Sequence, residues 1–263
     1  HRPRGRARVP GHERPRPTHH VNTLANALIQ RLASGELQPR GFLVNASNHT
    51  LLAQVGPHAW GLHAIYKPRR GERPLWDFPP GTLCQRETAA WVVSDFLGWD
   101  IVPPTILRDG PLGEGSVQLF IPHDPHLHYF TLVEDDRHHR ELARMATFDL
   151  LTNNADRKAS HVLLGDEGRL YGVDHGVCFH VQAKLRTVIW DLGSAVIDPA
   201  WKADLTRLAR ALIDPTHDLR AALCGLLSEP ELEVLADRAQ AVQRLDTLPV
   251  VAEDRRPYPW PPL

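Results

Sequence analysis

Two short polar segments near the middle of the chain contain residues that can do chemistry. The segment "NNADRKASHVLL", residues 153–164, contains Asp156, and "YGVDHG" brings Asp174 18 residues later. The intervening residues predict a strand, a turn at "GDEG" and a second strand, so both carboxylates reach the same mouth of a hairpin. In phosphoryl transfer, one carboxylate orients the attacking hydroxyl while another holds the divalent cation on the nucleotide phosphates. The pair therefore predicts this kind of reaction.

A lysine and a glutamate upstream could complete a nucleotide site. Lys67 ends the predicted strand "WGLHAIYKP", and Glu87 opens the predicted helix "RETAAWVVSDFLG". Such a pair would fix the lysine on the phosphates. Arg outnumbers Lys 26 to 4, so Lys67 and Lys158 stand out as compact charges in a chain that otherwise uses Arg. Taken alone, Lys67 is also compatible with a solvated strand end, and Glu87 with an acid favoured by the helix dipole.

The elements that position these residues run from strands in the first part of the chain to helices in the last. Periodicity predicts helices over 23–36, 86–98 and 136–154 and at three places beyond residue 200. Asn153 and Asn154 are expected to cap the third helix, since Asn tolerates the left-handed conformation. Strands are expected on both sides of a turn at 45–48, before Lys67, and in a hairpin that turns through Asp109-Gly110 and Gly113-Glu114-Gly115. This order predicts an α+β fold of two lobes joined near residues 120–128.

The charge distribution sets the first 20 residues apart from the rest. Residues 1–20 hold six Arg against one Glu, whereas the formal net charge of the chain is only -1. We therefore predict a disordered basic tail over 1–20, an N-lobe over 21–122, a C-lobe over 123–250 and an extended C-terminal tail over 251–263. A solvated tail is favoured over one that contacts nucleic acid or anionic lipid, so no nucleic-acid partner is expected.

Composition argues against several other classes of protein. The longest apolar runs fall short of the 18 or so residues of a membrane span, and the N-terminus lacks the apolar core of a signal peptide. Three widely spaced cysteines fit neither a disulfide framework nor a zinc site. We therefore expect a cytoplasmic protein without a membrane span.

Five segments, in this order, resemble the phosphatidylinositol 3/4-kinase-like superfamily of atypical kinases and, distantly, its HipA-type members. They are "HAIYKP", "RETAAWVVSDFLGWDIVPPT", "VQLFI", "NNADRKASH" and "YGVDHG", and the resemblance covers roughly residues 40–200. It implies a bilobal protein-kinase-like fold with an antiparallel-sheet N-lobe that carries one key helix, a mainly helical C-lobe, and ATP in the cleft between them.

The resemblance also implies a role for each matching residue. Lys67 would reach the α- and β-phosphates with Glu87 as its ion-pair partner, Asp156 would be the catalytic carboxylate, and Asp174 would be a metal ligand. The hinge that meets adenine would consist of Gln118, Leu119, Phe120 and Ile121. Arg157 and Lys158 are placed with Asp156 as catalytic residues, with Lys158 either stabilising the transferring phosphoryl charge or contacting the acceptor.

Two departures from the superfamily pattern bear on chemistry. His161 stands where the superfamily has a second metal-binding Asn, and because imidazole suits Mn²⁺ better than Mg²⁺, His161 either binds a different second metal or contacts a phosphate. In place of a glycine-rich loop, the turn over the phosphates would present Ser47 and Asn48, which is equally compatible with an ordinary polar turn.

The residues together predict an ATP-dependent phosphotransferase that uses Mg²⁺ or Mn²⁺. The acceptor would be a hydroxyl of a protein or of a small molecule, and nothing in the sequence chooses between them. Two alternatives remain open at this point. One is a nucleotide-binding pseudokinase that acts as a regulatory module, and the other is a metal-dependent hydrolase that uses Asp156, His161 and Asp174.

Overall fold

The computed structural model describes residues 23–43, 49–57, 59 and 61–263. The Arg-rich segment 1–20 lies outside the described residues. The predicted turn at 45–48, with Ser47 and Asn48, lies outside them as well.

The first part of the chain forms a five-stranded antiparallel sheet in the order β1-β2-β3-β5-β4. Its strands are β1 (Leu37–Phe42), β2 (Leu51–Val55), β3 (Leu62–Pro68), β4 (Thr105–Gly110) and β5 (Gly113–Leu119). Pro39 lies at a bulge of β1, an edge strand, where a missing N–H is tolerated. Alternate side chains such as Ala53, Ala64 and Val117 are fully or almost fully buried on one face. They pack with Leu32 of helix α1 (Thr23–Ser34), so a small apolar core supports the strand that ends at Lys67.

The predicted β4–β5 hairpin is present, but its turn is shorter than predicted. Asp109 and Gly110 still belong to β4, and Gly113, Glu114 and Gly115 open β5, so the turn consists of residues 111 and 112. Gly115 lies opposite Pro68, and a Cβ on it would come within 2.4 Å of the Lys67 carbonyl oxygen. The glycine therefore reflects a close approach of two strands rather than a change of chain direction.

Helices make up most of the remaining chain. They are α2 (Leu83–Leu97), α3 (Tyr129–Leu132), α4 (His139–Thr152), α5 (Pro199–Ile213), α6 (Asp218–Cys224) and α7 (Glu229–Val242). A two-stranded hairpin, β6 (Val162–Leu164) and β7 (Leu170–Gly172), follows α4. As predicted, α2 ends at Gly98 and α4 ends at Asn153, both in the left-handed conformation. No helix in the described part of the chain is long and apolar enough to cross a membrane.

Helix α2 lies between the sheet and the C-terminal helices, because it packs against β4 and β5 as well as against α5 and α6. Ala89, Ala90 and Val93 are fully buried in the large core formed with α4, α5 and α7. At its first turns, the Arg86 guanidinium forms a 2.5 Å ion pair with Glu231 of α7, and both side chains are at least nine-tenths buried. Helix α2 therefore connects the two parts of the molecule, and its assignment to the N-lobe stays a prediction.

Residues 257–263, within the predicted extended tail, pack on the body of the protein. The Thr187 N–H donates to the Pro257 carbonyl at 3.2 Å, and the Ala159 N–H donates to the Pro262 carbonyl at 2.8 Å. Since Ala159 follows Lys158 directly, this segment lies beside the loop that contains Asp156.

Candidate functional site

Lys67, Glu87 and Asp174 come together although they are far apart in the sequence. The Lys67 ammonium forms an ion pair with Glu87 and a second one, at 2.9 Å, with the Asp174 carboxylate. The Glu87 side chain is almost fully buried, whereas the Asp174 side chain remains 46% exposed. The predicted Lys67–Glu87 pair is therefore present, and Lys67 also reaches the predicted metal ligand.

Three elements fix this arrangement. Lys67 lies at the end of β3, where the register pairs it with Ser116 of β5. The first turn of α2 is held by Glu72, whose carboxylate accepts from the N–H groups of Leu83 at 3.2 Å and Cys84 at 2.8 Å. Glu87, one turn further on, accepts from the His175 N–H at 2.9 Å through its second oxygen. One carboxylate thus connects the strand, the helix and the segment after β7.

Lys67 and the neighbouring carboxylates stabilise the charged forms of one another. Burial disfavours the ammonium of Lys67, but the carboxylates of Asp174 and Glu87 outweigh burial and raise the pKa of Lys67 above its ordinary value. Burial likewise acts to raise the pKa of Asp174, yet the neighbouring Lys67 charge lowers it well below the usual range. The site therefore holds a permanent cation beside a permanent, partly exposed carboxylate, which suits phosphate and metal binding.

Asp156 lies in the loop that follows α4, and Asn154 shapes that loop. The Asn154 side chain accepts from the Asp156 N–H at 2.9 Å and donates to the buried Asp149 carboxylate at 3.0 Å. Burial raises the pKa of Asp156 to about 6, an effect that nearby Lys158 opposes and Asp174 reinforces. The Lys158 ammonium lies 3.6 Å from the Asp156 carboxylate. A carboxylate with a raised pKa next to a cation can accept a proton from a hydroxyl.

The raised pKa of Asp156 predicts how it affects the stability of the metal-free protein. Because its folded-state pKa of about 6 exceeds the ordinary 3.8, its contribution to stability is present below about pH 4 and lost as the pH rises through about 6. Asp156→Asn cannot ionise, so we expect a higher melting temperature than wild type at about pH 8 and no difference at about pH 4.

Asp198, the N-cap of α5, is the matched control for this thermal denaturation series. Its bonds with Arg140 and the Ala200 N–H lower its pKa, so Asp198→Asn should be less stable than wild type at neutral pH. A lower melting temperature for Asp156→Asn at about pH 8 would contradict the assigned direction of its pKa.

Arg157, predicted among the catalytic residues, is fully buried and points away from the loop surface. Its guanidinium bonds the Asp149 carboxylate through two nitrogens, at 2.9 to 3.2 Å, and donates to the Val173 carbonyl at 2.9 Å. It also donates to His175 Nε2 at 2.7 Å. Arg157 therefore joins the Asp156 loop to the segment that carries Asp174, and its catalytic role stays a prediction.

His161 lies between the Asp156 backbone and the Asp174 carboxylate. Its Nδ1 is 2.9 Å from the Asp156 carbonyl oxygen, and its Nε2 is 3.3 Å from the Asp174 carboxylate. Burial lowers the pKa of His161 to about 4, so the ring is neutral at neutral pH. A carbonyl can only accept, so Nδ1 carries the proton, while the Lys158 N–H approaches the same nitrogen only at 3.4 Å.

The tautomer of His161 leaves a lone pair on Nε2 that faces the Asp174 carboxylate. Two acceptors that face each other at 3.3 Å are satisfied by a cation that both contact, so the pair fits a divalent metal. Among the described residues, no group of three or more His, Cys, Asp or Glu side chains is arranged to hold a metal ion. Asp156 meets His161 only through its backbone, so the hydrolase hypothesis, which used these three residues, gains no support.

Five of the predicted site residues line one cavity of about 380 Å³. The predicted residues that line it are Lys67, Glu87, Asp156, Lys158 and Asp174. Leu119 and Ile121 instead line a separate cavity of about 130 Å³ beside Trp91 and Tyr171. The Gln118 amide is buried and donates to Thr105 at 2.9 Å, and the Phe120 N–H donates to the His63 carbonyl at 3.0 Å. The hinge role of these four residues stays a prediction.

Several residues of the site were not identified from the sequence. Glu72 and Asp149 looked like ordinary charged residues of a loop and a helix, and their roles depend on partners that the chain brings close only on folding. Trp76 and Trp260 line the 380 Å³ cavity from two distant parts of the chain. The one local signal was His175, because it follows Asp174 inside the motif "YGVDHG".

Comparison with solved structures identifies the fold. Two structures of the Golgi casein kinase, one with Mn and ADP bound, superpose with TM-scores of 0.54 at 14% and 12% sequence identity. The matches cover 84% and 86% of this chain and 75% and 74% of those chains. The predicted α+β, bilobal kinase-like fold is thereby confirmed. At this identity the comparison shows the fold alone, so the phosphatidylinositol 3/4-kinase-like branch stays a prediction.

Comparison with curated proteins gives a relative at much higher identity. No family model matches the chain. Protein Rv2133c of Mycobacterium tuberculosis (strain ATCC 25618 / H37Rv) is 40% identical over an alignment 266 residues long, which covers 88% of this chain and 93% of that protein. The chain therefore belongs to the same family as Protein Rv2133c.

Proposed function

We propose that the protein is an ATP-dependent phosphotransferase that moves the γ-phosphate to a hydroxyl. The observation that carries the proposal is the ion-pair group of Lys67, Glu87 and Asp174, which lines one cavity together with Asp156. A buried pair that holds a lysine, a partly exposed carboxylate for a metal and a third carboxylate with a raised pKa are the parts that phosphoryl transfer requires. The kinase-like fold supports this assignment.

Each of these side chains has a distinct task in the proposed reaction. Lys67 binds the phosphates, since its charge is permanent and Glu87 fixes its position. Asp156 accepts the proton of the attacking hydroxyl as the oxygen bonds to the γ-phosphorus, and the bond from that phosphorus to the bridging oxygen of ADP breaks. Lys158, 3.6 Å from Asp156, lies where it can stabilise the transferring phosphoryl charge.

Asp174 and His161 are the residues that would hold a divalent metal. A metal bound there neutralises charge on the nucleotide phosphates. The neutral His161 ring supplies a nitrogen donor and Asp174 an oxygen donor, and this mixed set favours Mn²⁺ more than an all-oxygen set does. We propose Mg²⁺ or Mn²⁺ for this position.

ATP binding through Lys67 is the first test of the proposal. ATP with Mg²⁺ or Mn²⁺ should raise the melting temperature of the wild type, because at a hundredfold excess over Kd a ligand stabilises the native state by about 2.7 kcal/mol. Lys67→Ala should lose most of this shift, each variant being compared with its own ligand-free state. Lys202 lies on α5 and pairs with Asp246, so Lys202→Ala removes a lysine away from the site and should keep the ATP-dependent shift. No shift in the wild type with either metal would overturn the proposal.

A nucleotide-binding pseudokinase is the second candidate, and the loop sequence is the observation that favours it. His161 replaces the Asn expected from the resemblance, so a bound metal could serve nucleotide binding without supporting transfer. Such a protein would show the ATP-dependent shift and the Lys67 dependence, yet no movement of the γ-phosphate. Turnover of ATP therefore separates the two candidates.

A further inference from the structure

Two tryptophans project into solvent at the cavity that contains Asp156. Among the large apolar side chains of the described residues, Trp76 and Trp260 have the highest exposed fractions, 94% and 89%. They come from distant parts of the chain, Trp76 from the segment between β3 and α2 and Trp260 from residues 257–263, and both line the same cavity. Exposed indoles leave much apolar surface in water, so their convergence on one cavity points to a ligand that covers them.

Both tryptophans are tied to the loop that carries Asp156. Lys184 lies over the Trp76 ring, with its ammonium 5.1 Å from the ring centroid, and its backbone N–H donates to the Asn153 side chain at 2.8 Å. Lys184 also forms an ion pair at 2.9 Å with Asp77, next to Trp76. Trp260 lies between Pro257 and Pro262 in the sequence, and the carbonyls of these two residues accept from the N–H groups of Thr187 and Ala159. Neither ring is therefore on a free end of the chain.

We propose that Trp76 and Trp260 form the acceptor subsite, and that the acceptor is a small molecule whose hydroxyl is carried next to a flat ring. This inference rests on the proposed function, which requires a hydroxyl beside Asp156. Indole faces bind flat rings by stacking, and the cavity of about 380 Å³ that receives the ATP phosphates beside Lys67 also takes the acceptor, so the acceptor is small. The subsite is continuous with the catalytic residues, because Asp156 and Lys158 line the same cavity.

The test uses a probe that contains both features, phenyl β-D-glucopyranoside, together with a non-hydrolysable ATP analogue and Mg²⁺. Its Kd is measured by ligand-observed NMR titration on the full chain. We expect binding to the wild type, a Kd raised by at least about fivefold in Trp76→Ala and in Trp260→Ala, and recovery in Trp260→Phe. Sorbitol, an open-chain polyol without a ring, should not displace the probe. Since both indoles are almost fully exposed, these variants should remain folded.

Leu263→Ala is the matched control, because Leu263 belongs to the same segment and is 57% exposed but does not line the cavity. A Kd that rises equally in this variant, an unchanged Kd in the two Trp→Ala variants, or no binding of the probe to the wild type would overturn the acceptor subsite. A thermal shift with the ATP analogue alone is measured in parallel. If the analogue binds and the probe result is negative, only the subsite fails; if the analogue does not bind, the proposed function fails.

Discussion

Asp156→Asn should abolish phosphoryl transfer and leave ATP binding unchanged. Asp156 acts on the proton of the acceptor hydroxyl, whereas the contacts expected with ATP come from Lys67 and the metal ligands. Loss of a general base lowers kcat by about 10²- to 10⁴-fold. The measurement uses ATP labelled in the γ-phosphate, with Mg²⁺ and with Mn²⁺. It follows release of the label as free phosphate and its transfer to the protein itself. The thermal shift with ATP reports binding in the same samples.

Asp166→Asn is the matched control for this experiment. Asp166 is an exposed residue of the turn between β6 and β7, outside the cavity, so its loss should leave both turnover and binding as in the wild type. Wild-type turnover in Asp156→Asn would remove Asp156 from the catalytic role. A wild type that binds ATP but turns over none with either metal would establish the pseudokinase instead.

Arg86→Ala should destabilise the protein by about 3–5 kcal/mol, because it leaves the buried Glu231 carboxylate without its partner. The same guanidinium donates to the Cys178 carbonyl at 2.8 Å and lies 5.0 Å from the Phe78 ring centroid, so packing is lost as well. The free energy of unfolding is measured by urea denaturation.

The exposed pair of Arg140 and Asp198 supplies the comparison for Arg86. The Arg140 side chain is 68% exposed, so Arg140→Ala should cost less than about 1 kcal/mol. Replacing both buried partners, Arg86→Met with Glu231→Leu, should restore much of the stability because no unpaired charge remains. A loss below about 1 kcal/mol in Arg86→Ala would show that water reaches Glu231 and that the pair does not anchor α2.

The sequence identified best those residues whose side-chain chemistry suits the site and whose position at a strand end or helix start is set by local structure. Lys67 at a strand end, Glu87 in the first turns of a helix and Asp174 after a strand pair are each set by local structure, and the fold brings them together. Gly98 and Asn153 were predictable for the same reason, since a left-handed helix end favours these residue types.

Tertiary partners decide the features that the sequence did not predict. Gly115 read as a turn residue because the Lys67 carbonyl that excludes its Cβ belongs to another strand. Arg157 lies next to Asp156 in the sequence, and nothing local to it shows that burial with Asp149 directs its side chain inward. Trp260 was predicted as part of an extended tail. Nothing local indicates that residues 257–263 pack beside the Asp156 loop, which lies about 100 residues earlier in the chain.

The position of α2 between the sheet and the C-terminal helices has a mechanical consequence. Arg86 bonds the first turns of α2 to Glu231 of α7, while the helix also packs against β4 and β5. If the sheet shifts against the C-terminal helices when a nucleotide enters, α2 has to slide against one of the two, and the Lys67–Glu87 pair is kept when the helix follows the sheet. Sliding of packed elements is a shear motion, in contrast to a hinge. Formation of the Lys67–Glu87 ion pair then depends on the position of the sheet relative to α2.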